Sequence, residues 1–138
     1  MSKPSETSAA GTTERHVGQE YFKQEVSKVC GGQCVVTGVK DHVPSIMIGS
    51  HIKPWSLSDD DEKLDGNNGL LLSPHTDKLF DRYLIIFSED GKIIIAPELD
   101  VAVLAQWGID VQKAYSISPQ QQVYMKHHRE EFKRKRLI

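Results

Sequence analysis

The chain has 138 residues, 38% of them apolar and 26% charged, and its 17 basic and 19 acidic side chains leave a formal charge of −2. These are the proportions of one water-soluble globular domain that folds without staples, and two cysteines exclude a disulfide framework. No run approaches the ~18 apolar residues of a membrane span, the N-terminus lacks the apolar core of a signal peptide, and the near-neutral total gives no global attraction to nucleic acid. The expectation is a cytoplasmic protein whose partners must be argued from local charge.

Residues 1–13 are rich in Ser, Thr, Gly and Ala without an apolar period, and are expected to form a flexible tail. From Glu14 to Cys30, Val17, Tyr21, Phe22, Val26 and Val29 recur at helical spacing until Gly31-Gly32 stops the pattern. Cys34 to Thr37 and Ile46 to Ile48 read as neighbouring strands around a polar turn with Asp41 and Pro44. The acidic stretch from Ser56 to Asn68 reads as a surface loop. Leu70-Leu71-Leu72 is a short buried run, and Ser73-Pro74 supplies a cap and a first-turn proline for a short helix. Tyr83 to Phe87 and Lys92 to Ile95, joined through Asp90-Gly91, form a hairpin signal. Leu99, Val103, Leu104 and Trp107 suggest a short helix, and Pro119 opens a last one that carries Val123, Tyr124 and Phe132 and ends in basic residues. The organisation expected is thus a tail (1–13), a core (14–97) and a C-terminal helical extension (98–138).

Polar, titratable groups concentrate at the edges of the most apolar runs. His51 falls where a strand ends and Pro54 forbids its continuation, and an imidazole with a pKa near ~6.5 suits the removal of a proton from water. Asp77 and Asp81 are four apart, hence on one helical face within reach of a single ion, and carboxylate oxygens are the ligands that Mg²⁺ or Mn²⁺ prefers. Between base and cation site stands Asn68-Gly69, able to pin a loop by side-chain hydrogen bonds.

These blocks, Cys34-Val35-Val36-Thr37-Gly38, Ser50-His51-Ile52-Lys53-Pro54-Trp55, Asn68-Gly69-Leu70-Leu71-Leu72 and Lys78-Leu79-Phe80-Asp81, resemble in sequence and order the HNH endonucleases, the ββα-metal nucleases. The resemblance spans roughly Cys30 to Ala96. It implies an α+β fold with a ββα-metal core, one helix in front and others behind. It also implies that His51 is the general base, Asn68 the residue that holds the loop, and Asp77 a metal ligand, with Asp81 one turn later as a further ligand. His75 is kept as a third candidate ligand. Ser50 stands where many members carry a ligand, and Asp77 where the last histidine would be. Both changes favour Mg²⁺ or Mn²⁺ over Zn²⁺ or Ni²⁺. The reaction implied is hydrolysis of a DNA phosphodiester to 5′-phosphate and 3′-hydroxyl ends, with restriction or defence among the family's roles.

Lys126, Arg129, Lys133, Arg134, Lys135 and Arg136, outnumbering Glu130 and Glu131, supply the cations that DNA binding requires, and Lys53 joins them from the motif. Cys30 and Cys34 are half a zinc site at best, so Cys34 is read as a small buried residue. A homodimer would be required for coordinated two-strand cleavage, and a partner protein could supply specificity. The alternative is a nucleic-acid-binding module that keeps the fold without turnover.

Overall fold

The structure, a computed structural model, describes the backbone of residues 6–136 and the side chains of residues 17–136. Its centre is a β-hairpin followed by a helix. Strand β1 (Ile48–His51) pairs antiparallel with β2 (Gly69–Leu72) in the register Ile48↔Leu72 to His51↔Gly69. Leu70, Leu71 and Leu72 are fully buried, as expected of a strand covered on both faces. Ser73 and Pro74 then end the strand and open α3 (Pro74–Asp81). Ser73 does not cap through its side chain; its hydroxyl lies 2.9 Å from that of Thr76, while Asp77 N–H donates to the Ser73 carbonyl.

A second hairpin, β3 (Ile85–Phe87) with β4 (Ile93–Ile95), matches the one expected. Its turn needs a left-handed residue only at Gly91 (φ 79°), where a Cβ would fall 2.2 Å from the Tyr115 carbonyl oxygen.

Four expectations change. The first helix, α1, covers Glu6–Cys30, so it extends back through much of the expected tail; once nucleated, a helix adds residues such as Ala9 and Ala10 readily, and residues 1–5 lie outside the described residues. Cys34 to Thr37 is a turn, not a strand: Thr37 and Ser73 donate their N–H groups to the Cys34 sulfur at 3.3 Å, and Gly38 N–H donates to the Cys34 carbonyl. Burial alone would raise the Cys34 pKa, but these donors outweigh it and bring it down to about 7. The acidic stretch contains α2 (Asp60–Leu64), started by a reciprocal capping box between Asp59 and Glu62. In α5 (Pro119–Arg136), Val123 is 67% exposed, and the buried stripe is Gln121, Met125, His128 and Phe132.

Helices α1 and α5 flank the hairpin. Phe22 and Val26 of α1 reach the strands because Gly69 has no side chain; a Cβ there would meet Val26 at 2.4 Å and Phe22 at 2.7 Å. Through α5, Gln121 Nε2 donates to the Gly69 carbonyl (3.0 Å), Tyr124 to Asp65 (2.6 Å) and Arg129 to the Phe87 carbonyl (3.0 Å). Met125, and Leu104 of α4 (Val101–Gln106), lie in the main core with the hairpin. Among the described residues, no helix is long and apolar enough to cross a membrane.

His128 stacks on Phe80 (3.9 Å, 5°) and under Tyr83 (4.4 Å, 19°). Its Nε2 lies 3.1 Å from the Phe80 carbonyl and must therefore carry the proton, while Nδ1 has no partner. Burial lowers its pKa to about 3, against the Phe80 carbonyl that pulls the other way. The folded-state pKa lies below the unfolded value near ~6.5, so the neutral ring's contribution is complete above that value and fades toward acid by at most about 1.4 kcal/mol per pH unit. The expected result is that thermal stability of wild type drops between pH 6.5 and 4 more steeply than that of His128→Phe. Parallel melting curves would refute the assignment.

Candidate active-site cleft

His51 is the last residue of β1, and its side chain is held from three sides. The Phe22 ring stacks beneath it at 3.6 Å and 5°, and Trp55 meets it edge-on at 5.5 Å. Its Nε2 lies 2.8 Å from the Lys63 carbonyl of α2. A carbonyl can only accept, so Nε2 carries the hydrogen and Nδ1 keeps its lone pair. Burial lowers the His51 pKa, outweighing the Lys63 carbonyl, so the ring is neutral and basic at pH 7.

Asn68 is fully buried behind the site. Its Oδ1 accepts the Lys53 N–H at 2.8 Å, its Nδ2 donates to the Glu62 carbonyl at 2.9 Å, and its own carbonyl accepts the Ile52 N–H. One side chain thus ties the segment after His51 to α2, and with it the carbonyl at Lys63 that orients the imidazole.

On α3, Asp77 and Asp81 line the same cleft as His51, together with Ser50, Trp55, Tyr83 and the end of α5. Desolvation raises the pKa of Asp77, and the charge of Asp81 adds to the rise against the Ser50 hydroxyl and Lys78. His75 is not brought to this cleft: on a regular helix two residues place it far around from Asp77, and its ring meets Trp107 at 5.2 Å.

The expected DNA-contacting cations divide. Arg134 and Lys135 line the cleft, Arg134 paired with Glu131 and Lys135 5.3 Å from the Tyr83 ring centre. Lys126 and Lys133 line a different groove of α5. Lys53 is paired with Glu62 at 2.8 Å with only 14% of its side chain exposed. Arg129 bonds the Phe87 carbonyl and Gln122, and Arg136 bonds Glu98 over the Phe132 ring. These last three hold the protein together. Sequence reasoning missed Phe22, Tyr83 and His128. A helical stripe at 121, 125, 128 and 132 could have revealed His128, but Gln and His disguise it.

Among the described residues, no group of three or more His, Cys, Asp or Glu side chains is gathered for a metal ion. Zinc sites take at least three protein ligands. Mg²⁺ instead keeps several waters and accepts one or two carboxylates with substrate phosphates, which is what Asp77 and Asp81 offer. The two carboxylates are donors of the kind that a hard cation accepts.

A scan of protein families matches residues 34–88 to the HNH endonuclease model. Those residues hold the Cys34 turn, the β1–β2 hairpin carrying His51 and Asn68, and α3 with Asp77. The chain carries an HNH endonuclease domain. Among solved structures, the modification-dependent TagI restriction endonuclease is similar in fold, with a TM-score of 0.50 and 20% identity. That match covers 77% of this chain and 35% of TagI, so the chain spans about a third of that protein's length. A search of curated proteins gave no match. The HNH domain is an α+β fold, with its ββα unit running from β1 through α3.

Proposed function

We propose that this protein is a metal-dependent HNH endonuclease that hydrolyses DNA phosphodiester bonds, with His51 as general base. The observation that carries this reading is the imidazole itself: fixed by Phe22 and Trp55, held with its hydrogen on Nε2 by donation to the Lys63 carbonyl, so that Nδ1 keeps its lone pair, and lining a cleft shared with Asp77 and Asp81. Nδ1 takes a proton from water as the oxygen attacks phosphorus; the bond to the 3′ oxygen breaks, and the departing oxygen takes a proton from solvent. Asp77 and Asp81 would hold a Mg²⁺ or Mn²⁺ ion, whose charge stabilises the phosphate oxygens. Asn68 contributes by holding the loop that sets the imidazole's angle. Arg134 and Lys135 provide the cleft's attraction for the phosphate backbone. A restriction role belongs to the same proposal, as do a second copy or a partner protein for two-strand cleavage and for specificity.

The test is incubation of the purified protein with supercoiled plasmid, methylated and unmethylated, in Mg²⁺, Mn²⁺, Zn²⁺ or EDTA. Nicked or linear product is expected with Mg²⁺ or Mn²⁺ and none with EDTA. Binding without cleavage in every metal would replace the enzyme with a nucleic-acid-binding module of the same fold.

A further inference from the structure

Tyr83 follows α3 directly, and it is the one non-glycine residue with positive φ (57°) among the described residues. The Tyr83 N–H donates to the Phe80 carbonyl at 3.1 Å and the Leu84 N–H to the Leu79 carbonyl at 2.9 Å. This double closure ends many helices on a left-handed residue, and glycine is its usual occupant because it has no Cβ to clash. A bulky aromatic residue there is a strained choice, and such strain gathers at sites of function.

The ring is held rigidly by the Phe80–His128–Tyr83 stack, with Lys135 near its face. The side chain lines the same cleft as His51, near Asp81, Glu131 and Arg134. The hydroxyls of Tyr115 and Tyr124 are bonded to the Asp110 carbonyl and to Asp65. That of Tyr83 engages no protein acceptor among the described residues; burial first, and then the charges of Glu131 and Asp81, keep it protonated, against Arg134. A rigid donor without a partner has been placed at the wall of a cleft.

We infer that Tyr83 contacts the substrate, its hydroxyl donating a hydrogen bond to a phosphate oxygen of the bound DNA strand beside Arg134 and Lys135. This rests on the nuclease reading for the identity of the substrate. A purely structural Tyr83 would only cover His128, and for that the ring alone suffices.

Tyr83→Phe separates the two roles, because it keeps both the ring and the backbone conformation. Its thermal melt is expected to match wild type, while cleavage falls about tenfold to a hundredfold, the scale of a lost hydrogen bond to a charged group. In a His51→Ala background, where turnover is removed, Tyr83→Phe should weaken the Kd for a short duplex. Tyr83→Gly, which suits the left-handed backbone, should lose at least as much activity as Tyr83→Phe. If Tyr83→Phe cuts and binds as wild type does, the inference is overturned. If wild type binds DNA but cuts with no metal, the nuclease reading fails, while the Kd comparison still decides the Tyr83 contact. Failure of wild type to bind DNA at all overturns both.

Discussion

His51→Ala is expected to lower plasmid cleavage by about 10²–10⁴-fold, the range for a lost general base, while the protein still folds and still binds DNA. The ring is only partly buried, so its removal opens the Phe22 face without emptying the core. The pH profile supplies an independent check. Burial lowers the folded-state pKa of His51, so the basic form is present above that lowered value and is lost as pH falls through it. Wild-type activity should therefore persist into the acid side of the ordinary histidine range near ~6.5, whereas the residual activity of His51→Ala should lack that limb. A limb retained unchanged in the variant would remove His51 from the role of base.

Asp77→Asn is expected to act in opposite directions on activity and on metal-free stability. Desolvation and Asp81 raise the Asp77 pKa, so the folded state holds this carboxylate less comfortably than the unfolded chain does. For an acid shifted upward, stability declines as pH rises through the ordinary carboxylate range, and the neutral amide escapes that decline. Without divalent ions the variant should melt at or above the wild-type temperature. Mg²⁺ should raise the wild-type Tm by preferential binding to the folded state and leave the variant's unchanged. Cleavage should fall by about a hundredfold or more, since cation charge at the transferring phosphate accounts for several kcal/mol. His75→Ala, which removes the ring that meets Trp107, should cut as wild type does. Loss of metal-dependent cleavage in His75→Ala with retention in Asp77→Asn would reverse the ligand assignment.

How much of this was legible in the sequence depended on whether the signal was local. The Ser73-Pro74 helix start, the Asp90-Gly91 hairpin and the Leu70–Leu72 strand follow from short-range rules, and the structure contains each of them. Cys34 to Thr37 misled because its β-branched residues fit a strand, while the deciding interaction is a thiol accepting N–H groups from Thr37 and from Ser73, 39 residues away. The capping box at Asp59 and Glu62 was present in the letters but hidden in a run of acids that reads as solvated loop. On α5 the apolar spacing favours Val123, whereas burial selects Gln121 and His128, whose Nε2 groups donate to the carbonyls of Gly69 and Phe80. The basic cluster was visible as charge, but which cations are bound up internally depends on Glu62, which holds Lys53, and on Glu98 and the Phe87 carbonyl, 38 and 42 residues from the arginines they hold.

The seat of His51 has a consequence for how this domain can be moved or cut. Phe22, on which the imidazole rests, lies before residue 34, and Gln121, Tyr124 and His128, which brace the hairpin loop and the end of α3, lie after residue 88. A graft of the family-matching segment alone would carry every expected nuclease residue of the motif, yet would leave His51 without its floor and the helix without its backing. The transplantable unit is set by those braces and runs from α1 through α5, so the borders of the recognisable motif and of the working part do not coincide.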